Sequence, residues 1–160
     1  MKVIAKIREK MGDEWLPNVY ATKVRSQRTR SYEIDLPKKQ NSALIQHTLL
    51  GIELKVGHKR FACPDLSTAR YLQVFAWIGC KSFAIPYDIS KISTIADELE
   101  SSWHRSLLYA EEVSKGKSNP VRGRIRSAMV KKIRWEIEEI GAGEAIPKFR
   151  KSTKQRKYSS

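Results

Sequence analysis

Asp35 and the run Glu53-Leu54-Lys55 are the residues of this chain whose types and spacing can do chemistry. Hydrolysis of a phosphodiester calls for a divalent cation that polarises the phosphate and lowers the pKa of a bound water, and hard cations such as Mg²⁺ take carboxylate oxygens. Asp35 and Glu53 can supply those oxygens, and the backbone carbonyl of Leu54 can complete the shell. Mn²⁺ can substitute for Mg²⁺. Side chains alternate along a strand, so Lys55 falls on the face of Glu53. From there its ammonium can orient the attacking water or offset charge in the transition state. The competing reading of Glu53 and Lys55 is a solvated sheet face, with Asp35 an acid near a turn.

The elements that must position these residues can be read from periodicity. Residues 3–11 form a first helix, with Val3, Ile4 and Ile7 on one side, ended by Gly12. A loop follows around Pro17, where Trp15 and Tyr20 suit packing ahead of base stacking. Tyr32, Ile34 and Leu36 alternate with Glu33 and Asp35, which predicts a half-buried strand over 31–36, stopped by Pro37. Ile52, Leu54 and Val56 alternate in the same way over 51–56. Asp65 or Ser67 can cap a helix over 66–78, and Gly79 suits the left-handed residue that ends one. A strand over 82–85 then predicts parallel pairing to the Glu53 strand, through a strand-helix-strand unit. Beyond it lie two long amphipathic helices separated by a polar break over 114–120. The last of them carries Ile125, Met129, Ile133, Ile137 and Ile140 on one side. The fold class expected is α/β, a small mixed β-sheet flanked by helices. It forms one domain over 1–145, and residues 146–160 form a basic tail with little reason to fold alone.

Charge narrows the function. Among 160 residues, 31 Lys and Arg against 17 Asp and Glu leave a net charge of +14, which repels itself unless a polyanion shares the load. Hydrophobic residues at 41% with four Trp make a folded globule rather than a solvated chain. A membrane surface is the competing polyanion, but no lipidation motif or apolar span is present. The start, Met1-Lys2-Val3-Ile4-Ala5-Lys6, meets charge too early for a secretory signal. The expectation is a cytoplasmic protein beside the nucleoid, or a nuclear one, bound to DNA ahead of RNA. Cys63 and Cys80 sit at no metal-ligand spacing and are expected as buried, reduced thiols.

The basic residues expected on phosphates fall in three groups: Lys23, Arg25, Arg28 and Arg30 just before Asp35; His58, Lys59 and Arg60; and Arg122, Arg124, Arg126, Lys131 and Lys132 on the last helix. Trp77 and Trp103 lie on apolar helical faces and read as core.

With its strand, Glu-x-Lys strand, helix and strand in that order, the stretch 31–87 resembles the PD-(D/E)xK nuclease superfamily. The resemblance implies a restriction-endonuclease-like fold and Mg²⁺-dependent cleavage of DNA, with Asp35 as the first-motif acid and Glu53 and Lys55 as the second motif. It also implies symmetric oligomers, a homodimer or larger, so that two sites cut two strands. Members include restriction enzymes, junction resolvases and small homing endonucleases. Many carry a further acid on the first helix, for which Glu9 and Glu14 are both candidates. One branch places Gln-x-x-x-Tyr on the helix after the lysine, and here Gln73 is present with Trp77 in the tyrosine position. Ile34 also stands where the motif has proline, which leaves the subfamily open. The alternative is a DNA- or RNA-binding protein without catalysis.

Overall fold

The computed structural model describes residues 2–35 and 42–142. Helix α1 (Lys2–Met11) and a short turn (Gly12–Glu14) lead into α2 (Leu16–Val19) and a widened turn (Tyr20–Val24). The stretch around Pro17 is therefore helical and not a loop. Proline in a helix's first turn gives up no hydrogen bond, and its fixed φ suits that position. Trp15 and Tyr20 are fully buried, which settles them as packing residues.

Five strands follow in two antiparallel sheets: β1 (Thr29–Glu33) with β5 (Ser82–Pro86), and a meander of β2 (Leu44–Thr48), β3 (Gly51–Val56) and β4 (Lys59–Cys63). The parallel pairing expected between the 82–85 strand and the Glu53 strand does not form. Both edges of β3 are already hydrogen-bonded, by β2 and by β4, so β5 has no edge there to join. It pairs with β1 instead, Tyr32 opposite Phe83 and Arg30 opposite Ile85. The fold is thus mixed α and β, with two small antiparallel sheets in place of one mixed sheet. The first strand begins and ends earlier than expected. Ile34 is buried just past it and donates its N–H to the Lys81 carbonyl at 2.8 Å. Leu36 and Pro37 lie outside the described residues, as does the tail.

Helix α3 (Leu66–Ile78) occupies the centre, with its expected bounds, N-cap and terminus. Asp65 accepts the Thr68 N–H at 2.7 Å, and Gly79 ends the helix at φ 93°. It is buried on nearly every side because three layers meet it. Leu54 and Val56 of β3 cover one flank, Phe83 of β5 stacks on Phe75 with centroids 4.2 Å apart, and α4 (Ile92–Val113) lies along another. Two buried tyrosine hydroxyls satisfy the free edge of β5. Tyr71 donates to the Ala84 carbonyl at 2.6 Å, while the Ala84 N–H donates to Tyr20 at 2.8 Å.

Helix α5 (Asn119–Ile140) returns antiparallel to α4 and buries Ile125, Met129, Ile133 and Ile137 against α4, α2, α1 and the end of α3. Glu136, only 12% exposed, ties this helix to the N-terminus: it accepts from Trp15 Nε1 at 2.8 Å and from Arg8 at 2.9 Å. Both cysteines are buried free thiols, as expected.

Candidate nucleic-acid interface

Strand parity decides where the expected catalytic residues go. On β3, Leu54 and Val56 face α3, so Glu53 and Lys55 project from the opposite face of the meander, as the sequence implies. Arg60 lies across from Lys55 on that same outer face, and its guanidinium stands 3.7 Å from Glu53 Oε1. That oxygen is buried and makes no hydrogen bond among the described residues, so its charge is only loosely matched. Asp35 is 81% exposed and paired with Lys59, which lies across from Val56 and leaves β4 toward the other face. Lys59 above all, with a smaller contribution from Lys81, holds the Asp35 carboxyl below the ordinary aspartate range, and no carboxylate is among the groups acting on it.

The two acids are therefore matched to adjacent cations from opposite faces of one strand. Neither auxiliary acid is found beside them: Glu9 is exposed on α1, and Glu14 pairs with Arg105 of α4. Gln73 donates to the Ala43 carbonyl at 3.0 Å. Among the described residues no group of three or more His, Cys, Asp or Glu side chains is placed to hold a metal ion.

The three basic groups differ in what the fold leaves free. Lys23 lies 3.9 Å from Glu98, and Arg25 donates to Thr29 Oγ1 at 2.8 Å. Arg28 and Arg30 are exposed, with guanidinium groups 5.0 Å from the Tyr87 ring and 5.7 Å from the Tyr32 ring. These aromatic contacts leave the charge un-neutralised. In the second group Lys59 and Arg60 are spent on Asp35 and Glu53, while His58 is exposed in the Gly57-His58 turn.

Helix α5 differs from both. Arg122, Arg124, Arg126 and Lys131 have no carboxylate partner among the described residues, and only Lys132 is turned to an acid, 3.5 Å from Glu136. Several acids are committed elsewhere: Glu112 to Lys10, Asp97 and Glu100 to Arg70, Glu98 to Lys23, Glu14 to Arg105.

The cations of α5 do not stand on a flat surface. Arg126, Val130 and Arg134, one turn apart each, form one wall of a cleft of about 440 Å³, joined by Ser127 and Lys131. Trp77, from the last turn of α3, and Trp103 of α4 form the other. The two indole rings lie near parallel, 16° apart with centroids at 6.4 Å. Trp103 is 6% exposed and backs Trp77, which is half-buried. Arg134 fixes the walls to each other by donating from Nε and Nη2 to the Ile78 carbonyl at 3.0 and 2.9 Å. Arg126 also lines an adjoining hollow with Arg122, Gly123, Leu107, Leu108 and Glu111, so the basic wall runs on along the α4–α5 seam.

Trp103 is core, as the sequence implies, and Trp77 packs half-buried against that core; Arg134 belongs to the basic side of the last helix in sequence, but its role as a cap on α3 does not follow from that. For Trp77 the signal was present: Gln73 and Trp77 share a helix face, and only the packing of α5 shows that this face opens at its C-terminal end. For Arg134 there was none, because a cap on another helix's last carbonyl leaves no mark in local spacing.

No protein-family model matches this chain, and no curated protein or solved structure matches it. Among the described residues, no helix is long and apolar enough to cross a membrane.

Proposed function

We propose that this chain is a nucleic-acid-binding protein that grips phosphates through the first four turns of α5. The observation that carries this reading is the set Arg122, Arg124, Arg126 and Lys131, cations without a carboxylate partner among the described residues, on a chain of net charge +14. Arg122 and Arg126 stand on one side of the helix and Arg124 and Lys131 on the other, so a polyanion passing along α5 meets cations from both sides, and each neutralised phosphate releases a counterion. Arg28 and Arg30 are a second exposed basic pair, with Arg30 beside the start of α3, roughly 20 Å along that helix from the end Arg134 caps.

The test is fluorescence anisotropy of a labelled oligonucleotide across a salt series. Binding is expected to weaken steeply with salt. Replacing all four α5 cations with glutamine, which keeps helix propensity, should flatten the log–log slope by about 3 to 4. A slope that stays unchanged sinks the assignment to α5.

A second reading, a Mg²⁺- or Mn²⁺-dependent nuclease using Asp35, Glu53 and Lys55, is favoured by one observation: the buried Glu53 Oε1 without a hydrogen bond, on the strand face of Lys55. Its test is nicking of supercoiled and branched DNA with either metal, against EDTA and Glu53→Gln. Intact DNA in every lane removes it.

A further inference from the structure

We propose that the cleft between the end of α3 and helix α5 is a base-stacking pocket, which makes the chain prefer unpaired strands to duplex. This inference rests on the nucleic-acid reading above and names the form of nucleic acid.

The two walls are complementary to the two parts of a nucleotide. Trp77 presents a half-buried indole held by two α4 rings, His104 at 5.5 Å and the near-parallel Trp103 at 6.4 Å between centroids, so the ring is fixed before any ligand arrives. Across from it stand Arg126, Lys131 and Arg134, with the Ser127 hydroxyl between them, and no Asp or Glu lines the cleft. A flat π-face opposite guanidinium and ammonium groups suits a base with phosphate on either side of it. In a duplex both faces of each base are covered by its neighbours, so a base can reach Trp77 only when it is unstacked. A single strand meets that condition at little cost.

The geometry also favours a strand over a free nucleotide. Arg126 belongs both to the cleft and to the adjoining hollow with Arg122. Arg122 and Arg134 are separated by roughly 18 Å along the helix axis, which is longer than one nucleotide. Trp135, 54% exposed on the solvent side of α5 with Lys132 4.9 Å from its ring, offers a second aromatic surface to a strand leaving the cleft.

The experiment uses the full chain with three labelled probes: a short oligothymidylate, a hairpin duplex with the same number of phosphates, and thymidine monophosphate as competitor. Two variants address the cleft. Trp77→Leu keeps apolar bulk and removes the π-face. Ser127→Glu puts a negative charge into the cleft from an exposed helix position, where no packing is at stake. The wild type is expected to bind the oligothymidylate more tightly than the duplex and to show quenched tryptophan fluorescence on binding. Trp77→Leu should lose about tenfold or more on the single strand, the effect of removing one base–aromatic stack, and change duplex affinity less than twofold, while Ser127→Glu should weaken the single strand by repelling phosphate from the cleft. Equal losses on both probes, or unchanged single-strand affinity in folded Ser127→Glu, overturn the stacking pocket while the phosphate grip of α5 stands. Competition by the monophosphate at the strand's own affinity overturns the claim for a strand. Failure of the wild type to bind any probe removes this inference and the nucleic-acid reading together.

Discussion

Replacing Arg134 with alanine is expected to lower both stability and single-strand affinity, because one side chain closes α3 and builds the cleft. The last carbonyls of a helix have no intrahelical donor. At the end of α3 the N–H groups of Gly79 and Cys80 serve the carbonyls of Phe75 and Ala76, and the carbonyl of Ile78 is left to Arg134, which reaches it with Nε at 3.0 Å and Nη2 at 2.9 Å. The approach is close enough that a Cβ on Gly79 would lie 2.8 Å from Nη2, so glycine is needed there for space as well as for its φ of 93°. A hydrogen bond from a charged donor contributes about 1.5–3 kcal/mol net, and a cation at a partly buried helix C-terminus contributes up to about 2 kcal/mol. Both donors share one acceptor and the guanidinium is partly exposed, so about 2 kcal/mol is the expected loss for Arg134→Ala. For a chain of this size that lowers Tm by about 4–8 °C. Arg134→Lys keeps the charge without the fork and should recover about half. Urea unfolding followed by circular dichroism gives the difference directly, provided the m-value is unchanged. Arg134→Ala within about 0.5 kcal/mol of wild type, the range of an ordinary surface change, would falsify the cap. Trp77 precedes Ile78, so the oligothymidylate affinity should fall further than the loss of one phosphate contact allows.

Three further outcomes follow from the described contacts. Glu136→Ala strands the buried Trp15 Nε1–H and releases Arg8, and should cost about 2 kcal/mol by urea unfolding; a change under about 0.5 kcal/mol refutes its role as the tie between α5 and the N-terminus. Asp35 should titrate below 3.8 by carbon-detected NMR and return toward that value in Lys59→Ala; its contribution to stability is full above the ordinary value and is lost as pH falls through the lower folded one, so a native Asp35 titrating at or above 3.8 disproves the pairing. Cys80, whose thiol burial pushes to about 12, should not react with a disulfide reagent until the chain is unfolded, and rapid modification of the native protein would show that its site opens.

The parts legible in the sequence are those fixed by local chemistry. Asp65 and Gly79 bracket α3 to the residue, and the apolar spacing of α5 marks its buried side correctly. Alternation in 51–56 places Glu53 and Lys55 on one face, as found. What was missed depends on distant partners or on short, weak patterns. Strand β2 is an edge strand whose Leu44 is 61% exposed, so it shows no clean alternation. Strand β4 lies within Lys59-Arg60-Phe61-Ala62-Cys63, where the basic pair hides a hairpin that Gly57, at φ 63°, makes possible. Missing β4 left an apparent free edge on β3, and from that edge came the expectation of a parallel β5.

A count of charges cannot say which cations remain available, and here that distinction determines the functional reading. Lys59 and Arg60 look in sequence like phosphate contacts beside two candidate metal ligands. In the fold they are the counter-ions of those ligands, one from each face of β4. The Asp35 pair is open to water and costs little to break, so pairing by itself does not bar either acid from a cation. Strand parity is the stronger constraint, since an ion shared by Asp35 and Glu53 must draw together groups whose present partners leave β4 in opposite directions. The same pairing removes two cations from the β3–β4 turn and leaves α5 as the described helix on which Arg122, Arg124, Arg126 and Lys131 lack an acid partner. Its wall faces Trp77 across a cleft, so the cations proposed to hold phosphate and the ring proposed to stack a base share one site. That coincidence, rather than the total of +14, is what favours a binder of unpaired strands.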